Sequence, residues 1–244
     1  MMNGKVELNC DLGEGMSNDA AIMPYLGSCN IACGGHTGDD ISVLKTVRLA
    51  KAHQVKIGAH PSYPDRENFG RVPVNISFSL LEKSVIQQIE RVRLIAENEN
   101  MVLNHIKFHG ALYLDSLSSQ KLANQLARLL ANEYKDLSIY APFGSMMAQE
   151  ALLLNIPLKY EGFADRAYLT GSTLLSRKEP NALLTNLKEI ENQVVSMINY
   201  DSVTGINKKK YTIRTDTICI HGDHPKAIEI AQLISPVIRK SNER

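Results

Sequence analysis

Side chains that could do acid–base or anion-binding chemistry are concentrated in six short segments of the 244-residue chain. These segments are Asn9–Gly15, Asn30–His36, His60–Asp65, Lys107–Gly110, Glu161–Arg166 and His221–Asp223. They contain four of the seven histidines, and histidine titrates near neutral pH. A carboxylate with an imidazole could deprotonate water, and a lysine could balance negative charge developing on an oxygen. We therefore predict that the six segments form one catalytic or ligand-binding pocket.

Each of these residues also has a structural interpretation. Asp11 could cap a following helix, His36 could cap the next one, and Lys107 could neutralise a carboxylate in a buried ion pair. We favour a chemical role for Asp11 because Gly13 and Gly15 predict an open loop after it. Lysine is rarely buried without a partner, so Lys107 at a strand end indicates an anion or oxyanion ligand, or a base with a shifted pKa.

A metal ion is a further option for three of these side chains. Asp11, His36 and His60 offer one carboxylate and two imidazoles, which can hold zinc or another divalent cation with positions left open. The long spacing between them makes the signal weak. The sequence therefore leaves the need for a metal uncertain and favours a metal-free site.

Three well-known motifs are absent from the sequence. No GxxxxGK[ST] phosphate loop is present for ATP, and no GxGxxG dinucleotide motif follows a predicted strand. No GxSxG motif presents a serine nucleophile. These absences argue against a nucleotide site built on those loops and against serine catalysis.

Short apolar runs alternate with amphipathic stretches along the chain, which predicts about seven β-α units. The predicted strands are Val6–Asn9, Ser28–Ala32, Lys56–Ala59, Asn104–Lys107, Ser138–Ala141, Leu158–Glu161 and Thr217–Ile220. The alternation predicts a parallel α/β fold in a single domain, residues 1–244. A closed or nearly closed barrel is our first choice, and an open doubly wound sheet is the alternative. Because the carboxyl ends of parallel strands share one face, the six polar segments should meet there.

Composition and charge exclude several classes of partner. Lys and Arg number 27 against 26 Asp and Glu, a net charge of +1, so we expect neither nucleic-acid binding nor attraction to anionic lipid. No long apolar run predicts a membrane helix, and no signal peptide is recognised at the N-terminus. We expect a cytoplasmic protein whose four cysteines are reduced and mostly buried. The polar stretch Asn199–Lys210 is interpreted as a solvated loop.

The same segments resemble the signatures of the LamB/YcsF family, in the same order and over nearly the whole chain. The matching motifs are NCDLGEG at Asn9–Gly15, NIACGGHTGD at Asn30–Asp39, GAHPSYPD at Gly58–Asp65, FGR at Phe69–Arg71, KFHGALY at Lys107–Tyr113, EGFADRAY at Glu161–Tyr168 and DTICIHGD at Asp216–Asp223. Seven motifs in order are far more specific than any one of them. The resemblance implies a distorted, seven-stranded parallel β/α barrel similar to that of polysaccharide deacetylases.

The resemblance also implies an activity and partners. The activity is ATP-dependent hydrolysis of 5-oxo-L-proline (pyroglutamate) to L-glutamate, in a complex with separate B and C subunits that handle ATP with or for this chain. Self-association is left open. On this hypothesis the catalytic candidates are Asp11, His36, His60, Lys107 and His109. The substrate-binding candidates are Asn9, Asn30, Glu161, Arg166, His221 and Asp223.

Two other functions compete with this hypothesis. A free-standing metal-dependent amidase or deacetylase would contain stoichiometric metal and turn over without partners. A non-catalytic carrier of a small carboxylate would bind its ligand without hydrolysis, even when partners and ATP are supplied.

Overall fold

Seven parallel strands close into a barrel in the computed structural model, which describes residues 5–243. The barrel strands are β1 Glu7–Leu12, β2 Ser28–Ala32, β3 Lys56–His60, β4 Leu103–Ile106, β5 Ser138–Ala141, β6 Leu158–Phe163 and β9 Thr217–His221. Closure comes from β9, which pairs in parallel with both β1 and β6. The fold class predicted from the sequence is confirmed, and the open doubly wound sheet is wrong. The further likeness to polysaccharide deacetylases stays a prediction.

Helices cover the outside of the barrel. They are α1 Asp19–Ile22, α2 Asp40–Ala52, α3 Phe78–Asn98, α4 Gly110–Ser118, α5 Gln120–Glu133, α6 Met146–Leu153, α7 Leu187–Tyr200 and α8 Ala227–Asn242. Each long helix buries one apolar stripe, as with Leu81, Val85 and Ile89 of α3, so burial of these stripes against the strands fixes the layers. Within residues 5–243, no helix is both long enough and apolar enough to cross a membrane.

The stretch before the last barrel strand differs from the prediction. Residues 199–210 were interpreted as a loop, but β7 (Ser202–Thr204) and β8 (Lys210–Thr212) form an antiparallel hairpin. Val203 is fully buried, and Lys208 has a positive φ of 64°, which suits the tight turn between the strands. Three-residue strands carry too short an alternation to be recognised, because a single buried side chain per strand sets no period.

Four barrel strands continue beyond their predicted ends. As a result, Asp11, His60 and His221 lie within β1, β3 and β9. Glu161 lies within β6 as predicted, whereas Lys107, predicted to end β4, directly follows that strand. A helix-capping role for Asp11 is excluded, because its backbone pairs with β2 and β9. Side chains on strands are held more rigidly than side chains on loops, so the fold fixes these five groups at one end of the barrel.

The inside of the barrel is unusually polar. Interiors of such barrels are normally filled by branched apolar side chains, but Asn9, Asn30 and His105 are fully buried here. The Asn30 amide donates to Asn9 Oδ1 at 2.8 Å, and its Oδ1 lies 2.8 Å from His105 Nε2. These mutually satisfied amides form a layer that supports the charged groups above it.

Candidate functional site

Lys107 lies at the centre of the polar end of the barrel. Its ammonium nitrogen is 2.9 Å from Asp11 Oδ1 and 3.0 Å from Glu161 Oε1, and the residue is 2% exposed. Burial alone would lower the pKa of Lys107, but the Asp11 carboxylate and its other neighbours raise that pKa well above the ordinary value. Lys107 is therefore a fixed positive charge and not a base.

Asp11 connects Lys107 to the histidines. Its Oδ1 accepts from Lys107 and from the Asn30 amide at 2.8 Å, and its Oδ2 lies 3.4 Å from His60 Nε2. Burial would raise the pKa of Asp11, but the charges of His60 and Lys107 outweigh burial and hold the pKa well below its usual range. Asp11 is thus an ionised carboxylate with one oxygen directed at an imidazole.

Two hydrogen bonds hold the carboxylate of Glu161 in place. Tyr113 donates its hydroxyl to Glu161 Oε2 at 2.8 Å, and the Asn9 amide donates to Oε1 at 3.2 Å. Burial and the Glu161 carboxylate raise the pKa of Tyr113 well above normal, so the phenol stays a donor. Asn9 and Asn30 therefore position the two carboxylates that flank Lys107, and their predicted contact with substrate stays a prediction.

Four further side chains converge next to Asp11 and form what we call the histidine–glutamate cluster: Glu14, His36, His60 and His109. Glu14 Oε1 lies 3.2 Å from His36 Nε2, 3.4 Å from His109 Nδ1 and 3.8 Å from His60 Nε2. One ligand atom from each residue falls within 4.8 Å of all the others. Burial lowers the pKa of His36 and lowers that of His109 well below normal, so both rings are neutral near pH 7.

The loop that contains Phe69 and Gly70 brings His36 and His109 together. Gly70 has a φ of 63°, and a Cβ atom there would lie 2.9 Å from the Cβ of His36. At the start of α4, a Cβ on Gly110 would lie 2.3 Å from the Gly70 carbonyl oxygen. Only glycine allows the two backbones to approach this closely. The approach lets the ring of His109 stack on that of His36, with centroids 3.6 Å apart.

His221 is oriented by a carboxylate of its own. Its Nδ1 lies 2.8 Å from Asp165 Oδ1, and its backbone N–H donates to Asp165 Oδ2 at 3.0 Å. Asp165 is fully buried; burial would raise its pKa, but the His221 charge and hydrogen bonds lower it. An ionised carboxylate thus fixes the direction of the imidazole, an arrangement suited to proton transfer.

Three arginines lie near the end of β9 and differ in which groups bind their guanidinium groups. Arg71 and Arg177 both bind Asp223 Oδ2, at 2.6 and 2.9 Å, and Arg177 with its neighbours lowers the Asp223 pKa to about 2 against the effect of burial. Arg166 instead donates to the carbonyl oxygens of Leu175 and Ala182, at 2.6 and 3.3 Å. Its guanidinium is thereby tied to the neighbouring backbone.

The structure brings most of the predicted site residues together. Asp11, His60, Lys107 and Glu161 lie in one chain of contacts, with His36 and His109 beside His60. The three predicted metal ligands, Asp11, His36 and His60, do not form one group of their own. Asp11 is bound to Lys107, and the two histidines converge with Glu14 and His109 instead.

Sequence reasoning missed Glu14, Arg71, Tyr113 and Arg177. Glu14 left a signal, since it stands between Gly13 and Gly15, whose φ values of 74° and 85° make the tight loop that turns it inward. Arg71 lies within the FGR motif but gives no local indication of its partner. Tyr113 ends the KFHGALY motif but gives no local indication of its contact with Glu161. Arg177 lies outside the motifs and reaches the site only through tertiary folding.

Comparison with known proteins gives one consistent result. The LamB/YcsF family model matches residues 6–244. The chain is 36% identical over 241 residues to the A subunit of 5-oxoprolinase from Pyrococcus horikoshii, covering 97% of this chain and 94% of that one. It is 38% identical over 242 residues to the A subunit of 5-oxoprolinase from Bacillus cereus, covering 97% and 96%. The crystal structure of a lactam utilization protein from Thermus thermophilus superposes with a TM-score of 0.90 at 32% identity, over 98% and 97% of the two chains. The chain belongs to the LamB/YcsF family.

Proposed function

We propose that this chain is the component of an ATP-dependent 5-oxoprolinase that hydrolyses the activated lactam of 5-oxo-L-proline to L-glutamate. The observation that carries the proposal is the likeness to relatives named as the A subunit of 5-oxoprolinase, which covers 97% of this chain in the Pyrococcus horikoshii and Bacillus cereus proteins. The site supports it, because a buried ammonium group between two carboxylates, beside oriented imidazoles, suits hydrolysis of an amide.

The chemistry explains why ATP and partners are needed. A five-membered lactam is an unreactive amide, and transfer of a phosphoryl group to its oxygen makes the ring carbon electrophilic. Water then adds to that carbon, the C–N bond breaks, and the ring nitrogen takes a proton, which leaves γ-glutamyl phosphate. A second water releases phosphate and glutamate. The sequence lacks a GxxxxGK[ST] loop, so we assign the phosphoryl transfer to the B and C subunits.

Asp11 Oδ2 is the base that orients and deprotonates the attacking water, and His60 lies beside it. The Asp11 Oδ2 atom and the His60 Nε2 atom are 3.4 Å apart, and both are fixed on strand ends. A positioned base contributes about 10²–10⁴-fold to the rate. Lys107, charged and held next to Asp11, stabilises negative charge on the substrate oxygen, and loss of such a donor costs about 10²–10³-fold.

The departing ring nitrogen needs a proton, and His221 is oriented to supply it. Asp165 holds Nδ1 of this imidazole at 2.8 Å, so Nε2 is the ring atom available for proton transfer. His221 is one of the few site residues that is only partly buried, in keeping with contact to a substrate at the barrel mouth.

The substrate carboxylate requires a cationic partner. Arg166 was the prediction, but it is buried, and two of its N–H groups donate to backbone carbonyl oxygens. Arg71 and Arg177 share one Asp223 oxygen, and their side chains are 43% and 27% exposed. A guanidinium with free donors binds a carboxylate in a two-pronged contact. We therefore place the substrate carboxylate at Arg71 and Arg177.

Reconstitution tests the proposal. The purified chain alone should hydrolyse neither ATP nor 5-oxoproline, whereas the chain with its B and C subunits should release glutamate in an ATP-dependent reaction. A complex rebuilt with Asp11→Asn provides the matched inactive control. Robust ATPase activity of the isolated chain, or binding of 5-oxoproline without glutamate release by the full complex, would contradict the proposal.

A metal-dependent amidase that works without partners is the second candidate function. It is favoured by one observation, the convergence of three imidazoles and a carboxylate in the histidine–glutamate cluster. Hydrolysis of an amide by the isolated, metal-containing chain without ATP would establish this function in place of the first.

A further inference from the structure

We infer that the histidine–glutamate cluster is a binding site for a divalent transition metal, with Zn²⁺ as the best match. Its ligands are Glu14, His36, His60 and His109. The inference rests on the geometry of these four side chains and holds whether or not a lactam is the substrate.

The first step is to assign the protons on two of the rings. His60 Nδ1 lies 2.8 Å from the carbonyl oxygen of Lys107, and His109 Nε2 lies 3.0 Å from that of Phe69. A carbonyl oxygen can only accept, so both of these ring nitrogens carry the proton. The nitrogen turned away from each carbonyl, His60 Nε2 or His109 Nδ1, is therefore the ring atom that can offer a lone pair to a metal ion.

These two nitrogens face each other. His60 Nε2 and His109 Nδ1 are 3.0 Å apart, a distance at which two lone pairs repel unless a cation lies between them. The carboxylate oxygen of Glu14, also an acceptor, lies 3.4 and 3.8 Å from His109 Nδ1 and His60 Nε2. Three potential ligand atoms thus converge on a common centre.

The backbone behind His60 and His109 is arranged as it is around metal-binding histidines, whereas among the described residues Nδ1 of His36 has no hydrogen-bond partner. Such histidines donate their second N–H to a carbonyl or carboxylate, which fixes the tautomer and the ring direction. The Phe69 carbonyl comes from a residue with φ of 54°, a conformation that costs about 1–3 kcal/mol for a non-glycine residue. The strained peptide directs its oxygen at His109, so the fold maintains this contact against a local preference. His36 completes the group, held flat against His109.

The spacing matches a small four-coordinate ion. Zinc bonds of about 2.0–2.2 Å in a tetrahedron place neighbouring ligand atoms about 3.3–3.6 Å apart. Four of the six separations between the ligand atoms are 3.0, 3.2, 3.4 and 3.8 Å, and all six are within 4.8 Å. Three nitrogens and one oxygen favour zinc or a similar transition metal over magnesium, which prefers oxygen ligands.

The charges of the surrounding side chains also favour a divalent cation. The carboxylate of Glu14 shares this end of the barrel with those of Asp11 and Glu161. With the imidazoles counted as neutral, the ammonium group of Lys107 balances one of these three, which leaves a formal charge of −2 on the set. Buried charge of one sign is costly unless it is paired. A divalent cation would restore neutrality, with Asp11 outside the ligand group and 3.4 Å from His60 Nε2.

Metal content and affinity test the inference on the isolated chain, without any substrate. After treatment with a chelator, the chain is titrated with Zn²⁺ against a chromophoric competitor, and the metal is counted by mass spectrometry. We expect one Zn²⁺ per chain and a rise in Tm. Co²⁺ in its place should give the visible absorption of a four-coordinate site with nitrogen ligands.

Matched variants keep the test decisive. Glu14→Gln preserves shape but removes the charge, and the double variant His36→Ala with His109→Ala removes two ligands. Each should weaken Zn²⁺ binding by more than about 100-fold, beyond the loss seen when only supporting groups around a metal are changed. His53→Ala, at the exposed end of α2, should bind like the parent. Circular dichroism identifies any variant that fails to fold, and Glu14→Gln, being isosteric, is the safer of the two.

The alternative occupant of this centre is a single proton shared by the imidazoles. That arrangement predicts no stoichiometric Zn²⁺ in the parent chain, or equal affinity in the parent and in both variants. Either outcome would overturn the inference, and neither would bear on 5-oxoproline hydrolysis, which the reconstitution assay measures separately.

Discussion

The two ends of the barrel are both polar, but they are built differently. At the amino-terminal end, Glu7 accepts from Lys159, Lys56, Tyr140 and Ser28, at 2.7, 3.0, 2.8 and 3.2 Å. Every contact there joins a donor to an acceptor. At the carboxyl-terminal end, the contacts around Lys107 are equally complementary, but the adjacent histidine–glutamate cluster brings acceptors together.

The difference distinguishes a structural network from a site. A satisfied network gains nothing from a further ligand, because each donor and acceptor already has its partner. Converging acceptors, by contrast, are stabilised when a cation binds between them. Polarity inside a barrel therefore does not identify the site by itself, whereas the balance of donors and acceptors does.

The largest effect is expected for Lys107→Met at the carboxyl-terminal end. Glutamate release by the reconstituted complex should fall by at least about 10²-fold, because a donor to the developing oxyanion is lost. The change also leaves two buried carboxylates unpaired, which should destabilise the chain by about 3–5 kcal/mol. Steady-state kinetics and urea unfolding measure the two effects.

A second variant separates charge balance from catalysis. Combining Lys107→Met with Glu161→Gln removes one uncompensated charge and should recover part of the stability but none of the turnover. If turnover returns together with stability, Lys107 only neutralises its neighbours, and the contrast between the two ends disappears.

A smaller effect is expected at the barrel mouth. Arg71→Gln and Arg177→Gln should each raise KM for 5-oxoproline by about 10-fold to 100-fold, the effect of losing one charge-assisted hydrogen bond. Arg166→Gln is the matched control, and it should lower Tm instead, since it frees the carbonyl oxygens of Leu175 and Ala182. A rise in KM confined to Arg166→Gln would restore the original assignment from the sequence.

The smallest effect on turnover is expected at the amino-terminal end. Glu7 has its pKa lowered from 4.5 to about 2, since burial, which would raise it, is outweighed by Lys159 and the other partners. The carboxylate therefore stabilises the fold fully above pH 4.5, and this stabilisation is lost as the pH falls toward 2. Glu7→Gln should cost about 2–3 kcal/mol at pH 7, flatten the acid limb of the stability profile, and leave turnover unchanged. A loss of turnover at unchanged stability would contradict a purely structural role for this end.

Much of the site could be predicted because of how parallel barrels are built. Asp11, His60 and Lys107 each follow or end a strand, and the carboxyl ends of parallel strands must meet. The position of each residue in the chain therefore predicted that it belongs to the shared site. Chain position did not predict which side chains bind each other within the site. Asp165 is next to Arg166 in the chain, yet it binds His221, because the choice between nearby partners depends on side-chain directions that a linear pattern does not contain.

The sequence by itself determined the alternating β-α units, the parallel α/β fold and the collection of acids, imidazoles and Lys107 at one end, since these follow from periodicity and strand direction. Closure of the barrel was decided by the pairing of β9 with both β1 and β6. Only the tertiary structure decided which acceptors face one another. The close approach of Gly70 and Gly110 brings Phe69 behind His109, and the positive φ values at Gly13 and Gly15 turn Glu14 inward. Such contacts join segments that are far apart in the chain, and they depend on a few backbone torsions. The arrangement of donors and acceptors that identifies the histidine–glutamate cluster is therefore visible only in the tertiary structure.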